Sequence, residues 1–216
     1  MSENKLKHKK IILVIAAVII GLLIIMVIIN LILQNVIKLI TEKPPETQKI
    51  NYLFFEPNYE DNIFEDEEYL EKNRYIEYTN GAVSITLADG NFSAHGRPVV
   101  FFNEYFNTLM NGDAEKYNTY FSEDYYKDNK RFEKFTMQKI YNINITVLLE
   151  EVVEEGKYYG YNRYLYKVSY MIMKNDGTFR DDIDSDGSVP LVFEILEDYN
   201  ANRIFINSIS KYTTIY

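Results

Sequence analysis

The sharpest chemical signature in this chain is carried by Asp182, Asp184 and Asp186, which with Gly187 read DIDSDG. Alternate aspartates ahead of a glycine set hard oxygen ligands around a turn, as calcium loops do. An EF-hand counted from Asp182 needs a glutamate at its twelfth position, where Phe193 stands. Glu194 comes one residue late, in an expected strand and on its opposite face. The motif therefore has two readings, calcium held by the three aspartates or a solvated hairpin tip, and no other cofactor is expected.

Nothing else in the chain assembles a reaction. The pairs Glu150-Glu151 and Glu154-Glu155 flank an expected strand end and read as solubility and turn charges. His95, beside Gly96, reads as a loop histidine. The sequence has no Gly-rich phosphate loop, no histidine cluster and no nucleophile motif, so no catalytic residue is assigned. The absence of cysteine excludes disulfides and thiolate metal sites.

Aromatic residues are the second candidate for function. All 20 tyrosines and 13 phenylalanines lie beyond residue 50. Tyr158, Tyr159, Tyr161, Tyr164 and Tyr166 are spaced so that both faces of an expected strand carry rings. Such a surface suits protein or glycan recognition, and a tyrosine-rich core is the competing reading. Charge narrows the partners. Residues 41–216 hold 18 Lys and Arg against 31 Asp and Glu, a balance of −13 that repels nucleic acid and anionic lipid headgroups. A basic protein or a cationic ligand remains compatible.

The elements that must position these residues begin at the amino terminus. Residues 11–29 read IILVIAAVIIGLLIIMVII, 19 apolar residues in succession. Opening at Ile11 and closing at Leu33, the stretch makes a helix of about 30 to 35 Å, the thickness of a bilayer's hydrocarbon core. Lys5, Lys7, Lys9 and Lys10 precede it, a lysine bias that keeps residues 1–10 in the cytoplasm and sends the remainder outside. The length of the run, and the lack of a small-x-small cleavage pattern after it, favour an uncleaved anchor over a secretory signal. Ala17 and Gly21 stand four apart, a spacing that lets two such helices approach closely, so self-association is expected as an option.

Helical spacing continues to about residue 40, and Pro44-Pro45 then ends it. Residues 41–73 form an acidic linker. Between Glu56 and Glu71 it carries eight acidic residues and no lysine or arginine, with Phe55, Tyr59, Phe64 and Tyr69 interleaved. Such repulsion favours a solvated tether, and the aromatics make a docking strip the alternative. Residues 74–96 read as a small β meander with turns at Asn80-Gly81 and Asp89-Gly90. From Arg97 the period becomes helical through Val99, Phe102, Phe106, Leu109 and Met110, with Gly112 as the stop. Asp113 caps a second helix, and a third is expected from Ser122 to about Tyr141. Alternating strands follow around residues 143–147, 158–174, 189–197 and 203–212. Helices followed by an antiparallel sheet make residues 97–216 an α+β domain.

The stretch YFNTLMNGDAEKYNTYFSEDYY, from Tyr105 to Tyr126, runs from a helix through an Asn-Gly-Asp turn into a short aromatic helix. Followed by curved antiparallel strands, it resembles the nuclear-transport-factor-2-like superfamily, a cystatin-like α+β cone in which a bent sheet wraps around helices. The resemblance implies a pocket at the wide end of the cone, where ketosteroid isomerases keep an acidic base. None of their catalytic residues maps onto a matching position in this chain. The order of basic tail, single span and external cone is similar to the bitopic scaffold subunits of type IV secretion and conjugation machines. The expected function is thus an extracytoplasmic interaction module with protein partners in the cell envelope. A small-ligand or isomerase/dehydratase-like pocket protein is the alternative.

Overall fold

The computed structural model describes residues 52–87 and 92–213, together with Met26. The expected span with its Ala17 and Gly21, the basic tail and the first part of the linker lie outside the described residues. Among the described residues no helix is long and apolar enough to cross a membrane. Residues 52–213 belong to one unit, which is α+β, a curved six-stranded sheet with few helices. Its elements are α1 (Glu67–Leu70), β1 (Ile76–Asn80), β2 (Val83–Leu87), α2 (Arg97–Met110), α3 (Ala114–Thr119), β3 (Ile140–Val152), β4 (Asn162–Ile172), β5 (Leu191–Asp198) and β6 (Arg203–Lys211).

The strands lie in the order β2-β1-β3-β4-β5-β6. All neighbours are antiparallel except β1 and β3, which pair in parallel from Ile76 opposite Ile143 to Thr79 opposite Thr146. The hairpin expected as a separate meander is therefore the edge of the main sheet, and the sheet is mixed. Parallel pairing requires a long crossover, which α2 and α3 supply by spanning one face. The hairpin turn also shifts by one residue. Asn80 pairs with Val83, so Gly81 and Ala82 form the turn, with Gly81 at φ +59° taking the left-handed position that glycine tolerates. Irregularities at Tyr141/Asn144, Val147/Leu149 and Glu194/Ile195 interrupt the ladders, and such bulges bend strands.

Helix α2 forms where the spacing predicts it, with Pro98 in its first turn and Val99, Phe102, Phe106 and Leu109 fully sequestered. Those rings meet the face of β4 that carries Tyr166 and Tyr170. Phe102 stands edge-on to Tyr166 at 5.1 Å and to Phe193 of β5 at 5.8 Å, and Phe106 meets Tyr170 at 5.4 Å. Edge-to-face contacts of this kind add to the large area each ring removes from water. Gly112 ends the helix at φ +66°, and a Cβ there would stand 3.0 Å from the Met137 backbone nitrogen. Asp113 then caps α3, accepting from Lys116 N–H at 2.9 Å.

The third helix does not form. Beyond a single 3-10 turn at Tyr125–Lys127, residues 128–139 are irregular, and Ile140 opens β3. The Asn118 side chain is the local cause. Its amide donates to Phe132 C=O at 2.8 Å and its oxygen accepts from Phe132 N–H at 3.0 Å, taking backbone groups a helix would need. Phe132 and Phe135 instead pack edge-on against Tyr117 of α3.

Candidate functional site

Among the described residues four places bring ionisable or exposed aromatic groups together, and the first corrects the acidic linker. Residues 52–70 do not leave the fold as a tether. They run as a strap against it, with Ile63 and Tyr69 at 0% exposure and Tyr69 Oη donating to Ile140 C=O at 2.9 Å. Burial is the leading cause that pushes the Tyr69 phenol far above its ordinary range. Two lysines from the sheet region pair with three of the strap's carboxylates. Lys139 Nζ lies 2.7 Å from Asp66 and 3.1 Å from Asp61, and Lys174 Nζ lies 2.9 Å from Glu68. The hydrogen bond from Lys139, opposed by burial and assisted by Tyr69 N–H, lowers Asp66 to about 2. Charge repulsion within the stretch is real, and cations elsewhere in the sequence offset it.

The strap's leading end holds apolar groups in solvent. Leu53 is 87% exposed, Phe55 51% and Tyr59 47%. The backbone there is tied down by Phe55 N–H donating to Asn175 C=O at 3.0 Å, and Lys134 Nζ sits 4.2 Å from the Tyr59 ring. Glu56, Glu60 and Asp61 flank these side chains. Beneath the strap is a cavity of about 140 Å³ bordered by Phe55, Asp61, Gln138, Lys139 and Asp176.

The second place is the interior between α2 and the sheet. Glu197 is fully buried on β5 and accepts from Tyr164 Oη at 2.9 Å. Arg97 Nη1 stands 2.9 Å from its other oxygen, in ion-pair contact but outside hydrogen-bonding geometry. This pair has no sequence signature, because Arg97 and Glu197 are a hundred residues apart and meet only through the packing of α2 on the sheet. Rings fill the space around it. A separate cavity of about 380 Å³ opens toward the β1–β2 edge, between the apolar Phe64, Leu70 and Met110 and the polar Lys72, Arg74 and Asn103. Among the described residues no carboxylate borders it.

The third place is the connection between β3 and β4, where the tyrosine strip is divided rather than displayed. Tyr164 and Tyr166 are core residues, 5% and 3% exposed, because β4 begins only at Asn162 and turns both inward. Burial drives both phenols well above their ordinary range. Tyr158 and Tyr161 are half-buried against Phe205, at 6.0 and 6.4 Å between ring centres. Only Tyr159 stands free, at 72% exposure. Asp124 holds the connection to the 3-10 turn, with Lys157 Nζ at 2.6 Å and Tyr158 Oη donating to the same oxygen.

Two of the three carboxylates of the DIDSDG loop, Asp182 and Asp186, are engaged by the protein, while Asp184 is exposed. Asp182 accepts from Arg180 Nε at 2.7 Å and Nη2 at 3.1 Å and has Lys211 Nζ at 3.3 Å. Asp186 accepts from Tyr141 Oη at 2.7 Å, and burial, followed by this bond, raises that phenol to about 12. The loop is shaped from within by Asn175, fully buried, whose amide donates to Arg180 and Ile183 C=O at 2.9 Å each. Among the described residues no group of three or more His, Cys, Asp or Glu side chains is arranged to hold a metal ion. His95 closes a short 3-10 turn, its ring 6.2 Å from that of Tyr78. Compared with protein-family models, curated proteins and solved structures, the chain has no match.

Proposed function

We propose that this chain is a single-pass membrane protein whose residues 52–213 serve as an extracytoplasmic protein-interaction module of a cell-envelope assembly. Secretion and conjugation machines are the assemblies that its order of segments resembles. In this reading residues 11–33 are an uncleaved anchor with the amino terminus in the cytoplasm, and the α+β unit is a nuclear-transport-factor-2-like cone. The observation that carries it is the strap. A segment fixed to the fold yet holding Leu53, Phe55 and Tyr59 in water keeps apolar area available for a partner. The flanking Glu56, Glu60 and Asp61 favour a partner with a basic rim over an anionic bilayer surface.

A photo-crosslinking residue at position 55, activated in native membranes, tests this. A defined adduct with another envelope protein, weakened by Glu56→Lys with Glu60→Lys, is expected. An adduct to lipid alone, or none, overturns the reading.

The cavity of about 380 Å³ favours a second reading as a small-ligand protein, since its volume falls in the range of ligand sites. Among the described residues its wall offers two cations and two amides but no carboxylate, which suits binding of an anionic amphiphile better than acid–base isomerisation. Titrating the full chain with a medium-chain fatty acid distinguishes the two. Saturable binding lost in Arg74→Ala supports the ligand reading, and its absence removes it.

A further inference from the structure

The sheet has two edges, and they are treated differently. At β6 the segment before the 3-10 turn adds backbone bonds, Ser122 N–H to Ile206 C=O at 2.9 Å and Ile206 N–H to Tyr120 C=O at 2.8 Å. At β2 no described segment pairs outside the strand. Protein edges are normally guarded by charge, proline or a bulge. β2 reads Val83-Ser84-Ile85-Thr86-Leu87, with none of these, and its ladder to β1 is regular over all five residues.

The register says which groups are free. Asn80 and Val83 close a two-residue turn, so they form a hydrogen-bonded pair, and such pairs alternate along an antiparallel ladder. Val83, Ile85 and Leu87 therefore direct their backbone groups at β1, while Ser84 and Thr86 direct N–H and C=O outward. Side chains alternate as well. Val83, Ile85 and Leu87 share the core face, where exposure rises from 0% at Leu87 to 63% at Val83, and Ser84 and Thr86 take the other face.

We infer that two copies of this chain join by antiparallel pairing of β2 with β2, about a two-fold axis at Ile85. Ser84 then exchanges both backbone bonds with Thr86 of the second copy, and Thr86 with its Ser84. On the core face Val83 lies opposite Leu87 and Ile85 opposite Ile85, while hydroxyl lies opposite hydroxyl on the other face. A two-fold axis requires self-complementarity, and this register supplies it at every position of the seam. The seam is uncharged, so the domain's negative balance is not brought to the contact. Cover for Val83 supplies the apolar gain. The inference goes beyond the envelope reading and does not depend on it.

The chain's lack of cysteine makes the register directly testable. A non-hydrogen-bonded antiparallel pair sets its Cα atoms about 4.5 Å apart, within disulfide reach. Ile85→Cys in the otherwise cysteine-free full chain, oxidised with copper phenanthroline in detergent solution, is expected to give a disulfide dimer as the major species. Val152→Cys, 56% exposed on another strand, should stay monomeric. Adding Ser84→Lys, which sets a charge against the seam on an exposed position, should abolish the Ile85→Cys dimer. Crosslinking of Ile85→Cys no faster than Val152→Cys, as expected if the edge is free or takes a strand of another protein, overturns the inference. So does an Ile85→Cys dimer indifferent to Ser84→Lys.

Discussion

Lys139 Nζ stands 2.7 Å from Asp66 Oδ2, joining the start of β3 to a segment more than seventy residues earlier in the chain. The contact turns an acidic run that would repel itself into a docked strap, and its pH dependence follows. Asp66 is lowered from its ordinary value to about 2, so the folded state prefers the carboxylate. The stabilisation is full above the unfolded carboxyl pKa near 4 and is lost as pH falls through about 2. Strap release, followed by amide exchange at Tyr69, should thus rise between about pH 4 and pH 2. Lys139→Met should move the onset of release upward in pH. An onset unchanged in Lys139→Met would remove the pair from the account.

Arg97 and Glu197 are unequal partners, one a third exposed at its side chain and the other fully buried. Arg97→Met strands a buried carboxylate with only the Tyr164 hydroxyl and should cost about 3 kcal/mol. Glu197→Gln removes the charge while keeping an acceptor for Tyr164, and should cost about 1 kcal/mol. Combining the two should recover part of the Arg97→Met loss. Denaturant unfolding of all three variants checks the order, and simple additivity would contradict it.

Phe102 touches Tyr166 and Phe193 at the centre of the ring cluster. Phe102→Ala should therefore cost about 3 to 5 kcal/mol. Tyr159→Ala, at the one free ring of the 158–166 group, should change stability by less than about 0.5 kcal/mol. Thermal melts of the two variants measure the contrast, and comparable losses would mean that Tyr159 packs on a surface of the folded chain.

Calcium should leave the melting temperature of the full chain unchanged, because Asp182 is held by Arg180 and Lys211 and Asp186 by Tyr141. An upward shift with calcium that disappears in Asp184→Asn would restore the metal reading of the loop.

Tyrosine titration gives a separate measure of the interior. Tyr105 and Tyr117 are driven far above the ordinary phenol range, first by burial and then by neighbouring tyrosines, and Tyr125 is raised to about 12 by burial. The folded state keeps these phenols neutral, so their contribution to stability is constant below about pH 10 and falls as unfolded tyrosines ionise above it. Absorbance near 295 nm should show an exposed group titrating first and the rest appearing only with unfolding. Smooth titration of all tyrosines near pH 10, with the fold intact, would contradict the packed interior.

Local chemistry made much of this protein legible from sequence. The apolar period of α2, its glycine stop and the Asp113 cap all depend on residues within a turn or two of one another. The length of the apolar run from Ile11 to Leu33 likewise depends on nothing distant. Tertiary structure decided the rest, because the deciding partners are remote. Asn118 captures Phe132 and cancels a helix that periodicity predicts, and β1 finds β3 in parallel across two helices. Arg180 and Lys211 take an aspartate from a calcium-like loop, and Lys139 and Lys174 recruit an acidic strap that reads alone as a tether. Coulombic attraction and hydrogen bonding act on distance in space, and sequence spacing encodes that distance only within a helix or strand.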